Sequence, residues 1–236
     1  MNYSRSKSVI VTGTRKGIGK FLAERFLKSG FRVAGCSRGE SSIFHESYKH
    51  YRLDAADEIA VVRMVREVSR QFGLDYLVNN AGVASMNHLL LSSGIIGKKI
   101  FDCNFFGTFY FLREAAKIMQ KERKGRIVNF STVAVPLNLE GEALYASSKA
   151  AVETLTRVAA RELGDFGITI NAVGPTPVQT DLIRLIPQNK INALLSRQAI
   201  KRLGKMDDVA QVVEFFLDDR NDFITGQIIY LGGING

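Results

Sequence analysis

Between Ser8 and Gly19 the chain passes from a short apolar stretch into a glycine-spaced loop and then into a helical pattern. Ser8 to Val11 suits a buried strand. Glycines follow at 13, 17 and 19, and Ile18, Leu22, Phe26 and Leu27 then share one helix face. A strand that breaks at glycine and restarts as a helix is a turn suited to dinucleotides. The free N–H groups and partial positive charge of a helix start attract phosphate. Glycine lets the backbone turn tightly and approach a pyrophosphate closely. Gly13, Arg15, Lys16, Gly17, Ile18 and Gly19 are therefore candidate cofactor contacts. The spacing is Gly-x3-Gly-x-Gly, not the commoner Gly-x-Gly-x2-Gly. The glycines alone leave a purely structural loop open; the strand before and the helix after favour the binding turn.

Further strands read at Phe31 to Cys36, Tyr48 to Leu53, Leu74 to Val78, Arg126 to Phe130, Ile168 to Val173 and Gln227 to Leu231. Helical patterns begin at Asp57, with Ile59, Val62, Val65 and Phe72 facing inward, and at Asp207, running to Leu217. Longer ones run from about Ile95 to Gln120 and from about Glu142 to Leu163. Asn104 lies inside the first of these, where its amide competes for backbone groups, and Gly107 permits close packing or a kink. Residues 133 to 144 read as a loop holding Pro136. Strands alternating with helices predict a parallel sheet in one α/β domain, residues 1–236.

The end of the second strand is where an adenosine ribose belongs. A carboxylate there accepts from the 2′-hydroxyl and repels a 2′-phosphate. This chain offers Ser37 and Arg38 instead, with Arg15 and Lys16 nearby in the glycine loop. A guanidinium pairs with phosphate through a fork of N–H donors, so NADP(H) is preferred over NAD(H). Arg38 as a surface arginine stacked on adenine stays open. Leu53 and Asp54 end the third strand beside the adenine position; Asp54 either accepts from the adenine amino group or caps the next element.

Composition removes several classes. No apolar run is long enough to span a bilayer. Met1 to Lys7 is polar and the run after it is too short for a signal peptide. Cys36 and Cys103 read as reduced, buried thiols of a cytoplasmic protein. His45, His50 and His88 have no metal-ligand spacing, so no metal is expected. The formal charge of +9 suits an anionic cofactor, a nucleic acid or a membrane surface. The densest basic cluster, Lys121 to Arg126, lies between a helix and a strand and reads as a solvated turn. It has no interleaved aromatics, so neither nucleic acid nor membrane is expected as a partner.

Tyr145 and Lys149 are spaced to share a helix face. A phenol has a pKa of about 10; a nearby ammonium lowers it, toward the range where proton transfer is efficient. Alone, this pair reads first as an ordinary exposed one. Its surroundings carry more weight. Thr12-Gly-Thr-Arg-Lys-Gly-Ile-Gly19, Asn79-Asn-Ala-Gly82, Ile127-Val-Asn-Phe-Ser-Thr132, Tyr145-Ala-Ser-Ser-Lys149 and Ile224-Thr-Gly-Gln227 together resemble the short-chain dehydrogenase/reductase family over nearly the whole chain.

That resemblance implies a Rossmann-type, doubly wound, seven-stranded parallel sheet in three αβα layers, with a nicotinamide cofactor and hydride transfer between a carbonyl and an alcohol. It implies Tyr145 as general acid, Lys149 as holder of the nicotinamide ribose, and Asn104 as support for a water relay. Asn80, Ala81, Gly82, Pro175, Val178 and Thr180 fall at cofactor positions. The substrate-orienting serine of the family is here Thr132, with Ser131 as a possible substitute. Gly174-Pro-Thr-Pro177 departs from the usual Pro-Gly and should stiffen the loop. The connection from Ser37 to Asp54 is short, so its helix is expected to be missing or vestigial.

A segment at about 178–206 should cover the active site; Arg184, Lys190, Arg197, Lys201 and Arg202 read first as a solvated lid face and otherwise could receive an anionic group. The expected activity is reduction of a 3-oxoacyl- or sugar-type ketone or aldehyde by a homo-oligomer, dimer or tetramer. The alternative is a catalytically retired NADP-sensing protein with a protein or nucleic-acid partner.

Overall fold

The computed structural model describes residues 6–179 and 188–235. Its centre is a seven-stranded sheet in the order β3-β2-β1-β4-β5-β6-β7. The strands are β1 (Ser8–Thr12), β2 (Arg32–Ser37), β3 (Tyr48–Arg52), β4 (Tyr76–Asn79), β5 (Gly125–Phe130), β6 (Ile168–Gly174) and β7 (Ile228–Tyr230). Every pairing is parallel. The chain leaves β3 at one edge and returns as β4 beside β1, so the loops after β1 and β4 part across a crevice at that reversal.

Successive strand residues point to opposite faces, and two apolar layers result. Val9, Val11, Val128 and Val173 meet helices α1 (Gly17–Lys28) and α8 (Met206–Leu217) through Leu22, Phe26, Val209, Val213 and Phe216. Ile10, Ala34, Leu77, Ile127 and Ile170 meet α2 (Glu58–Phe72), α4 (Gly107–Glu122) and α6 (Ala143–Leu163) on the other face. The helices α3 (Gly94–Phe101), α5 (Ala134–Leu137) and α7 (Gln188–Arg197) are shorter.

Four features differ from the sequence reading. On α2 the buried face is Val61, Met64, Val65 and Val68, while Ile59 is 70% exposed. Ile59 is the second residue of the helix, before the stripe reaches the sheet. The helix predicted from Ile95 to Gln120 is broken by a π-helical turn over Asp102–Phe106, which separates α3 from α4. Residues 134–137 form a helical turn inside the predicted loop. Cys36 is buried as expected, but Cys103, in the π turn, is only partly so.

Other expectations hold. No helix forms between Ser37 and Tyr48. Gly107 permits a close approach: a side chain there would come within 3.1 Å of Ala55. The basic cluster is used within the fold, though not all of it is solvated. Arg126 is buried on the Gly125, Gly167 and Asp219 carbonyls, and Lys124 pairs with Asp219.

The register of α2 can be checked by urea unfolding. Met64→Ala is expected to cost about 2–4 kcal/mol because it leaves a core cavity. Ile59→Ala should stay within about 0.5 kcal/mol of the parent, as an exposed position does; equal losses would restore the predicted face.

Candidate active site

The turn after β1 begins at Gly13, whose φ of +76° is in the left-handed region. A side chain at Gly13 would also lie 2.9 Å from Asn80 Nδ2 and 3.1 Å from the Ala81 Cα. This close approach ties the ends of β1 and β4. Asn80 Nδ2 donates to the Thr12 carbonyl at 2.8 Å, and the Ala81 N–H donates to Thr12 Oγ1 at 2.8 Å. Helix α1 starts with no side-chain cap and no acidic residue in its first turn. Its leading N–H groups are therefore free for an anion, with Arg15 and Lys16 exposed just before them.

The Ser37-Arg38-Gly39 segment faces this helix start. A side chain at Gly39 would sit 3.2 Å from Arg15 Nη1, so Arg15 lies across it. Arg38 is exposed, and Arg52 Nε donates to its carbonyl at 3.2 Å. Arg52 was missed by the sequence reading; its only signal was a basic residue closing a strand without aliphatics. Leu53 is half-buried and its N–H donates to the Ser37 carbonyl at 3.0 Å. Asp57, not Asp54, caps α2, accepting from the Ala60 N–H at 3.0 Å. Asp54 is exposed and accepts from the Ala56 N–H at 3.0 Å.

Thr132, Tyr145, Lys149, Asn104 and Gly82 gather at the far end of the crevice, where β4 and β5 stop. The pleat separates Ser131 from Thr132. Ser131 turns into the protein and bonds the buried Glu153 carboxylate. Thr132 Oγ1 accepts from the Ala134 N–H at 3.2 Å, and its hydroxyl lies beside the Tyr145 phenol and acts to lower that group's pKa. Of the two, Thr132 is the residue on Tyr145.

Lys149 is 3% exposed and donates to the Phe130 carbonyl at 2.8 Å. A side chain at Gly82 would come within 3.4 Å of its Nζ and 3.2 Å of Asn104 Oδ1. Asn104 pins the neighbouring backbone. Its Oδ1 accepts from the Val83 N–H at 2.8 Å, and its Nδ2 donates to the Val83 carbonyl at 2.9 Å and to Ser148 Oγ at 3.0 Å. The π turn leaves the Asn104 carbonyl to the Thr108 hydroxyl, 2.7 Å away.

The ionisation of this pair reverses the expectation. Burial pushes the Tyr145 phenol up to about 12, against the bond from Thr132, and the Glu142 carboxylate adds to the rise. Burial pushes the Lys149 ammonium down to about 8. Desolvation is the largest cause for both groups, and the ammonium spends its hydrogen bond on a carbonyl. The phenol therefore keeps its proton at neutral pH.

A cleft of about 530 Å³ opens beside the first turn of α6, between His88–Leu89 and Asn138–Gly141. Lys190 reaches over from α7 to within 3.6 Å of Met86 Sδ. Arg202 is held by Asp208 at 2.6 and 2.9 Å, which removes it from the anion-receiving group; Arg197 and Lys201 are exposed. Arg184, Thr180 and the apolar residues Leu182, Ile183, Leu185 and Ile186 lie outside the described residues. Pro175 accepts from the Val133 N–H at 3.2 Å, and Val178 is buried and bridged to Gly204. Pro177 accepts from the Gly204 N–H at 3.0 Å, so this loop is as fixed as its composition suggests.

The fold and this cluster define an NAD(P)-dependent oxidoreductase. The chain belongs to the short-chain dehydrogenase/reductase family: the family model described as "Enoyl-(Acyl carrier protein) reductase" matches residues 13–234. It is similar to the 3-oxoacyl-[acyl-carrier-protein] reductase FabG of Staphylococcus aureus, 34% identical over 97% of both chains. The Salmonella typhimurium FabG is 29% identical over 96% of each. Among solved structures, ElxO with NADP bound superposes with a TM-score of 0.89 at 34% identity, over 96% of this chain and 97% of that one. The ligand-free aldohexose dehydrogenase of Thermoplasma acidophilum gives 0.89 at 31% identity, over 98% and 94%.

The buried lysine has a measurable signature. Between about 8 and its ordinary 10.5 the unfolded chain holds a proton that folded Lys149 has released. Stability should therefore rise with pH across that window. Relative to Lys149→Met, the parent protein without nucleotide should gain roughly 3 kcal/mol over it. Parallel urea midpoints at pH 7 and 10.5 would show instead that the ammonium is hydrated.

Proposed function

We propose that the protein is an NADPH-dependent reductase of ketones or aldehydes, of 3-oxoacyl or sugar type, working as a homo-oligomer in the cytoplasm. The buried Lys149 beside Asn104 and Gly82, on the same helix as the protonated Tyr145 phenol, carries this reading. The hydroxyl of Thr132 aligns the phenol and the carbonyl oxygen of the substrate, and Tyr145 donates its proton to that oxygen. Lys149 binds the ribose hydroxyls and, as a buried cation, stabilises charge left on the phenol. Asn104 fixes the Gly82–Val83 backbone against Lys149 and supports a water path to it.

The dinucleotide fits the residues present. The uncapped α1 start and Gly13, Gly17, Ile18 and Gly19 suit a pyrophosphate; Asn80, Ala81, Gly82, Pro175 and Val178 line the remaining path. When bound, it supplies the hydride. Ser37, Arg38, Arg15 and Lys16 favour the 2′-phosphate of NADP(H) over NAD(H), and Leu53 and Asp54 border the adenine. The relatives named for acyl-carrier-protein thioesters and an aldohexose support the two carbonyl classes. Exposed Phe106 and Val158, on the π turn and α6, suit an interface between copies. The alternative, a retired NADP-sensing protein, is disfavoured because the relatives are named as a reductase and a dehydrogenase.

NADPH oxidation with 3-oxoacyl thioesters and aldohexose-derived ketones tests the activity. Tyr145→Phe should lower kcat by about 10²–10⁴-fold with nucleotide binding retained; full turnover would end the proposal. NADP⁺ should raise the Tm of the parent more than NAD⁺ does. Arg38→Asp should reverse that order, because a carboxylate repels the 2′-phosphate.

A further inference from the structure

The adenosine end carries a side-chain network that the proposed chemistry does not use. Tyr48 and His50 are alternate residues of β3, so they point to the same face of this edge strand. His50 Nε2 lies 2.9 Å from the Gly39 carbonyl and 3.2 Å from Ser37 Oγ. Its Nδ1 lies 2.9 Å from the Tyr48 phenol, which is 2.9 Å from Thr14 Oγ1 in the glycine loop. Ser37 Oγ also donates to the Gly39 carbonyl, at 2.7 Å.

One proton pattern satisfies every bond of this chain. A carbonyl only accepts, so Nε2 must be the donor to Gly39. Neutral imidazole then has a lone pair at Nδ1, which accepts from the Tyr48 O–H. The phenol oxygen in turn accepts from Thr14. Each bond needs the one before it, and the ring orientation follows.

Two further observations show that the backbone is built around this network. Gly35 is paired with His50 in the β2–β3 register, and a side chain on it would collide with the Tyr48 hydroxyl and Thr14 Oγ1. The segment from 38 to 47 has no helix to hold it, so side chains must fix its start. Gly39 is also the residue that Arg15 lies across, and Arg52 holds the Arg38 carbonyl.

We propose that His50 is a positioning residue for recognition of the cofactor's adenosine 2′-phosphate: its bond to Gly39, braced through Tyr48 to Thr14, sets the spacing between the phosphate-binding turn and the Arg38 segment. The proposal rests on the NADP(H) reading above. His50 does not touch the phosphate. It fixes the Gly39 backbone that Arg15 lies across, next to Arg38, while its own bonds run to Ser37, Gly39 and Tyr48 and none to the α1 start.

The test is calorimetric binding of adenosine 2′,5′-bisphosphate and of 5′-AMP to the full chain. The parent should prefer the bisphosphate. His50→Ala should cut that preference about tenfold, the size of one hydrogen bond's contribution, with 5′-AMP affinity changed less than about twofold. His50→Gln keeps an N–H donor for Gly39 and should restore most of the preference. Tyr48→Phe, which removes only the brace, should give a smaller loss in the same direction. A damaged fold would weaken both ligands alike, so an unchanged preference in His50→Ala, or no rescue by glutamine, overturns the proposal. A parent protein that binds the two ligands equally would sink the NADP(H) reading first, and this one with it.

Discussion

Lys149 brings a cation into a wall from which water is nearly excluded, and the active end of the crevice is arranged around that fact. A buried ammonium is tolerated only when its donors are answered. The Phe130 carbonyl at the end of β5 answers one. Gly82 supplies room, since any larger residue would crowd both the lysine nitrogen and the Asn104 amide. Asn104 can turn inward because the helix widens by one residue at the π turn, a local distortion common at functional sites. Segments distant in sequence thus meet at one charged side chain, bonded to the end of β5 and bordered by Gly82 and Asn104. The parallel sheet makes this possible, because the ends of β4 and β5 are neighbours in it.

The same wall shows how the pleat divides labour. Ser131 and Thr132 are adjacent hydroxyl residues with opposite destinations. Ser131 faces Glu153, which also accepts from the Tyr230 hydroxyl at 2.6 Å, so β5, α6 and β7 are joined behind the site. Thr132 faces Tyr145. Deeper in, Asn79 donates to Asn129 at 2.9 Å, and Asn129 to Thr156 at 2.9 Å. These bonds between β4, β5 and α6 are directional where apolar packing is not. They hold Lys149 and Tyr145, on the same helix, in fixed register with the strand ends.

Much of this was legible in the residues. The β1–α1 turn, the strand alternation and the spacing of Tyr145 and Lys149 are set by local pattern and chain chemistry, and the structure repeats them. What was not legible depends on burial. Ile59 has the periodicity of a core residue, but the helix reaches the sheet only one turn later. Nothing in Asp102–Phe106 announces an extra residue in the turn; the asparagine hinted at a polar role, not at the widening that lets it act. The expected fall in the Tyr145 pKa assumed that proximity to an ammonium decides ionisation. In the folded protein desolvation acts on both groups and pushes them apart. The network through His50 was invisible because β3 looks like a weak, polar edge strand until its partners are known.

The two ends of the crevice are therefore stabilised by different means. At the chemical end, Lys149, Asn104 and Thr132 are buried and hydrogen-bonded, and Tyr145 stands half-buried beside them on α6. At the adenosine end, Arg15, Arg38 and Arg52 are exposed, and a coil without a helix stands on an edge strand. Exposed charges contribute little unless they are held together, so their worth to an anion depends on what fixes the backbone beneath them. Substitution at the chemical end disturbs a buried set and is bound to change reaction and stability together. Substitution at the edge can alter which nucleotide is held and leave the proton donor untouched. The separation follows from topology: β3 and β5 lie on opposite sides of the β1–β4 reversal.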